Sequence, residues 1–101
     1  MFIRAIRSSF EGGKPSEEAI KLYNEKVKPL WSKQKGFHSI GRFTVVDGPH
    51  KGHSMVVVRF DSQEAFQKAY DGIAKEREDI MQALKDVGGK QEEILTLDEA
   101  D

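Results

Sequence analysis

The stretch Met55-Val56-Val57-Val58-Arg59-Phe60-Asp61-Ser62-Gln63-Glu64-Ala65-Phe66 changes character half-way along. Its first half is dominated by β-branched and aromatic side chains, the composition of a strand. Its second half brings small polar residues and carboxylates, which suit the start of a helix. Asp61 with Glu64 three residues on has the form of a capping box. Beyond it Phe66, Ala69, Tyr70, Ile73, Ile80 and Leu84 recur at helical spacing. A strand over 53–60 therefore feeds a helix over 62–86. Unbroken, that helix would run about 37 Å against about 23 Å for a seven-residue strand, so Asp71-Gly72 is expected to kink or split it.

Working back towards the N-terminus, Asp47-Gly48-Pro49-His50-Lys51-Gly52 is turn chemistry. It joins the strand over 53–60 to an earlier strand over 37–46 as a hairpin. Before that, Ile20, Tyr23, Val27, Leu30 and Trp31 mark one face of a helix opened by Pro15 and Ser16. Pro29 must bend or end this helix, and Gly36 closes it. Phe2 to Arg7 reads as a first strand. Working forward, Gly88-Gly89 stop the second helix, Glu93 to Leu97 form a last strand, and Asp98 to Asp101 make an acidic tail. Ser16-Glu17-Glu18-Ala19-Ile20 also lines up with Ser62-Gln63-Glu64-Ala65-Phe66, one pentamer at the head of each helix. The order is βαββαβ. Right-handed crossovers then put both helices on one face of a four-stranded antiparallel sheet, an α+β fold of ferredoxin-like layout over one domain, residues 1–101.

A sheet with helices on one side and water on the other should alternate apolar and polar residues. Here Met55 to Val58 is apolar throughout, Val45 and Val46 are adjacent, and so are Ile94 and Leu95. With no third layer encoded, a second copy of the same sheet is the expected cover, giving a sheet-to-sheet homodimer.

The 16 Lys+Arg against 17 Asp+Glu leave a formal charge of −1, so there is no overall basic field for nucleic acid or an anionic membrane. Neither partner is expected. The absence of cysteine rules out disulfides and thiol chemistry. Met1-Phe2-Ile3-Arg4 does not resemble a signal peptide, and no stretch approaches the roughly 18 apolar residues of a span. A cytoplasmic location is expected.

Lys35-Gly36-Phe37, leading from the first helix into the second strand, and Val58-Arg59-Phe60-Asp61-Ser62-Gln63-Glu64-Ala65, with the element order, resemble the dimeric α/β-barrel superfamily. Within it, the chain is similar to the small proteins grouped with antibiotic biosynthesis monooxygenases. The resemblance implies a barrel of two facing sheets, a pocket between each sheet and its helices, and chemistry without a cofactor on a small hydrophobic or aromatic compound. A non-catalytic, stress-related or ligand-binding homodimer is the alternative. The haem-degrading branch of the family carries an Asn on the first strand and a His on the second helix. Neither is present here.

A cofactor-free oxygenase needs a base to take a phenolic proton, and histidine suits that role near neutral pH. His38, just after Gly36-Phe37 and near Trp31, is the candidate. Tyr23, Asn24 and Trp31 are the candidate pocket wall. Arg4, Arg42 and Arg59 all fall in predicted strands, where a charge needs a carboxylate, a ligand anion or water; Arg59 is taken as the ligand-facing one. His50, His53 and Asp47 sit in a Gly/Pro-rich turn that does not fix a zinc geometry, so no metal is expected. The run Lys75-Glu76-Arg77-Glu78-Asp79 reads as a solvated helix face.

Overall fold

A computed structural model describes residues 1–100. Its strands are β1 (Phe2–Phe10), β2 (Phe37–Thr44), β3 (Ser54–Phe60) and β4 (Gly89–Asp98). All pairings are antiparallel and the order is β2-β3-β1-β4, the ferredoxin-like arrangement. β1 and β4 are both longer than their apolar patterns. Ser8, Ser9 and Phe10 pair with Gln91, Lys90 and Gly89, so the ladder runs on through polar residues that carry no strand signature. The expected strand over 37–46 instead stops at Thr44. Val45 keeps a backbone bond to His53, while Val46 lies in the turn and is 78% exposed. Of the acidic tail, Asp101 lies outside the described residues.

The first helical stretch has three parts, α1 (Glu17–Leu22), a π-turn (Tyr23–Val27) and α2 (Lys28–Ser32). Pro29 explains the wide turn. It has no N–H to give the carbonyl four residues back, and its ring would crowd that carbonyl. The chain relaxes by closing a longer loop instead, Lys28 N–H donating to the Tyr23 carbonyl. The helix bends there without ending.

The second helical stretch splits into α3 (Gln63–Gly72) and α4 (Ala74–Asp86), with Ile73 between them out of helical geometry. The paired pentamers behave alike. Ser16 Oγ accepts from Ala19 N–H at 3.2 Å, and Ser62 Oγ from Ala65 N–H at 3.1 Å. Asp61 is therefore not the cap. Its own N–H donates to the Gly36 carbonyl at 2.9 Å, tying the end of β3 to the start of β2. Gly36 has φ +86°, and a Cβ placed there would stand 2.7 Å from Ala65 Cβ. The two stretches that carry the family resemblance thus meet in space, and only glycine lets them do so.

The helices cover the sheet face that bears Phe2, Val58 and Phe60, which pack with Trp31, Phe66, Ala69 and Ile73 as the core. Phe66 is its hub. Phe2 lies 4.9 Å from it, Trp31 stacks on it at 5.4 Å, and Phe60 meets it edge-on at 5.5 Å. The molecule is flat, 37 × 32 × 17 Å, as expected of two layers. On the uncovered face lie Phe43, Leu95 and Leu97, which are 53%, 38% and 46% exposed, together with half-buried Ile3, Met55 and Val57.

Candidate active site

Strand register turns the helix-facing surface into rows that cross the sheet. One end is aromatic, with Phe37, Phe60 and Phe2 side by side. The next row holds Ile40, Val58 and Arg4, and the one after it Arg42, Val56, Ile6 and Ile94. The last is polar, formed by Thr44, Ser54, Ser8 and Gln91. The helices do not close over the middle of this surface. A cavity of about 230 Å³ remains there, floored by Arg4, Ile6, Val56 and Ser54 and walled by Tyr23, Trp31, Phe66 and Tyr70. Its lining meets solvent at both sheet edges, where Arg42 and Ile94 are exposed.

The charges in this lining are all positive. Arg4, Arg42 and Arg77 contribute to it, and no aspartate, glutamate, histidine or cysteine does among the described residues. Arg4 places its guanidinium carbon 4.7 Å from the Phe66 ring centroid and 5.7 Å from that of Tyr70. Its Nε is buried without a hydrogen-bond partner, as is Ser54 Oγ. Arg77 lies over Tyr70 at 3.4 Å and its Nε donates to the Tyr70 carbonyl at 3.0 Å. Burial pushes the Tyr23 phenol above its ordinary value, against the opposing charge of Arg42. At neutral pH Tyr23 is therefore a hydroxyl donor and not a phenolate.

Of the residues singled out from the sequence, the fold brings Tyr23 and Trp31 together on the cavity wall. The other three are elsewhere. Asn24, beside Tyr23, is exposed. His38 falls at the irregularity in the β2–β3 ladder between Phe37 and Ser39 and is also exposed, outside the lining. Arg59 alternates with Val58 and Phe60 and so projects from the opposite face of the sheet. Strand parity was the missing signal. Arg4 shares it with Phe2 and Ile6, which marks Arg4 as the arginine that meets the helices. Arg77 also departs from the solvated face expected of its run, which otherwise holds, with Lys75 and Asp79 pairing in solvent at 3.6 Å.

The uncovered face treats its charges differently. Arg7 donates from Nε to Glu93 at 3.2 Å, and its Nη1 lies 2.7 Å from His53 Nδ1. The His50 and His53 rings stack at 5.5 Å. No group of three His, Cys, Asp or Glu residues is placed to share a metal ion among the described residues, and no helix there is long and apolar enough to cross a membrane.

No family model and no curated protein sequence matches the chain. Solved structures do. SnoaB, a cofactor-independent oxygenase from Streptomyces nogalater, superposes with a TM-score of 0.67 at 14% identity, covering 98% of this chain and 94% of its own. The fold is that of the antibiotic-biosynthesis-monooxygenase-like, ferredoxin-like proteins. A candidate antibiotic biosynthesis monooxygenase from Deinococcus radiodurans gives a TM-score of 0.66 at 17% identity, covering 100% and 94% of the two chains. A dimeric ferredoxin-like protein from an uncultured marine organism gives 0.69 at 20% identity, covering 99% and 96%. At these identities the likeness is one of fold.

Proposed function

We propose that the chain is a homodimer whose subunits each take a small hydrophobic or aromatic compound into the cavity and oxygenate it without a cofactor. The observation that carries this reading is the cavity itself. Its walls are aromatic and aliphatic, and among the described residues its only charges are guanidinium groups. Nearby positive charge favours the ionised form of an acidic group, so the guanidinium groups offset part of the cost that burial puts on ionising a phenol or enol bound there. Its proton passes to solvent at the open edges, since His38 stands outside the lining. The resulting electron-rich anion reduces oxygen. For an activated ring methylene, CH₂ and O₂ become C=O and H₂O, one oxygen atom kept and the other released with both hydrogens. Tyr23, held neutral, is placed to donate a hydrogen bond to developing negative charge.

Oxygen uptake across a panel of quinols and polyketide phenols tests the reaction. Consumption that tracks substrate and disappears in a Trp31→Ala, Tyr23→Phe double variant supports it; a flat response to every compound removes it. The lack of a histidine or carboxylate in the lining among the described residues favours a second reading, a homodimer that holds such a compound without transforming it. Under that reading the same panel binds and no oxygen is used.

The dimer rests on the uncovered sheet face. The subunit exposes 6640 Å², against about 5,800 Å² expected of a monomer of its size. The excess, roughly 840 Å², is close to the ~800 Å² that each partner contributes to a standard interface. Sedimentation should show a species of twice the 11.4 kDa subunit mass at micromolar concentration, and a monomer there would sink the proposal.

A further inference from the structure

We infer that the compound this cavity selects carries a carboxylate, and that Arg4 is the residue that holds it. The inference rests on the cavity being a ligand site, and it deepens that reading by naming the ligand's charge. Arg4 is a cation on a strand interior, between Ile3 and Ala5, with its side chain among aromatic rings. Arg4 is half-buried and its Nε fully so, and a charge drawn out of water is costly unless something opposite meets it. Nothing of this chain does so among the described residues. Arg4 forms no ion pair, its Nε is buried without a partner, and the cavity lining contains no acid.

Arg4 packs its guanidinium carbon 4.7 Å from the Phe66 centroid and leaves Nε unpartnered, and Nε with its adjacent Nη is a two-pronged donor matched to two coplanar carboxylate oxygens. A phenolate offers a single oxygen and would leave one prong empty. Across the apolar strip of Val56 and Ile6, the polar row supplies Ser54 Oγ, also buried and unpartnered, beside Ser8 and Gln91. The ligand that fits is a flat apolar body with an acid group at the Arg4 end and a hydroxyl or carbonyl at the Ser54 end. A volume of about 230 Å³, below the usual range of about 300–1,000 Å³ for pockets, suits a small ring system.

Calorimetric titration of the intact protein with 2-naphthoate, its neutral near-isostere 2-naphthamide, and 2-naphthol tests this. The expected result is that naphthoate binds about tenfold or more tightly than the amide, with naphthol weaker than naphthoate. Arg4→Met should bring naphthoate down to the level of the amide while moving amide affinity less than about threefold. If Arg4→Met does not fold, Arg4→Lys, which keeps the charge but loses the fork, should shrink the preference to about threefold or less. Equal affinities for naphthoate and amide in the wild type, tighter binding of naphthol than of naphthoate, no binding of any probe at millimolar concentration, or an undiminished preference in the variants would each overturn it. Failure here is distinguishable from failure of the oxygenase reading. Selective naphthoate binding with no oxygen use by any phenol leaves the inference standing alone, whereas oxygen use on neutral quinols with no carboxylate preference does the reverse.

Discussion

Arg4 and Arg7 lie three residues apart on one strand and face opposite sides of the sheet. Arg7, on the uncovered face, is met by Glu93 and His53. Arg4, under the helices, is met by two aromatic rings and has a free Nε. The chain has acids enough, 17 in all, and one of them, Glu93, answers Arg7 on the uncovered face. Among the described residues the chain supplies none in the lining of the cavity that Arg4 floors. A cation left without an acid among aromatic rings, on the face that carries the cavity, marks the helix-facing side as a place for a ligand.

The sharpest way to break this comparison is to put one charge on each face at adjacent positions. Val58 is 1% exposed under the helices, and Val58→Lys should cost about 3–5 kcal/mol and unfold much of the protein. Val57 projects from the uncovered face, and Val57→Lys should leave the subunit folded by circular dichroism but monomeric in sedimentation. Equal loss of fold in both would mean the uncovered face is part of the subunit's own core. Gly36→Ala comes next. It forces a Cβ to 2.7 Å from Ala65 at φ +86°, and should cost about 2–4 kcal/mol in urea unfolding. A cost near zero would mean that α3 can lift off β2 freely.

Arg7→Met tests the satisfied arginine. Its partner Glu93 is substantially exposed, with 44% of its side chain accessible, so the loss of subunit stability should be only about 1 kcal/mol or less. A much larger loss would show that the Glu93-Arg7-His53 chain braces the fold. The smallest effect is Tyr23→Phe, nearly silent at neutral pH. Because burial holds the Tyr23 proton more tightly in the folded state than in the unfolded one, its contribution to stability is complete below about pH 10 and is lost as pH rises beyond it. The wild type should therefore weaken more steeply than Tyr23→Phe as pH rises above about 10. Parallel curves would mean that Tyr23 ionises without resistance from the fold.

How much of this was legible beforehand depended on whether a feature lives in one element or between several. The order of elements, the hairpin, the split near Gly72 and the doubly apolar strands all follow from local patterns. The polar ends of β1 and β4 do not, because Ser8, Ser9, Lys90 and Gln91 are strand residues only by virtue of pairing with each other. Nor does the site. Tyr23 and Trp31 were visible on the face of a helix, but choosing among Arg4, Arg42 and Arg59 required knowing which way each strand turns. His38 was drawn toward the cavity by its nearness in sequence to Trp31, and an irregularity in the ladder turned it out. Arg77 was hidden in a run of charges whose other members are solvated.

The wide turn at Tyr23–Val27 bears on how related chains must be aligned. Eight residues separate Tyr23 from Trp31, which on a regular helix is about 80° past two full turns, enough to rotate one of them out of the cavity. The π-turn takes up the surplus residue and returns both side chains to one wall. Seven residues of uninterrupted α-helix would achieve the same phase. A homologue that lacks the proline corresponding to Pro29 should accordingly be one residue shorter in this helix, with a gap and not a substitution marking the difference. Placed anywhere but within Tyr23–Val27, that gap would pair the wrong aromatic residues.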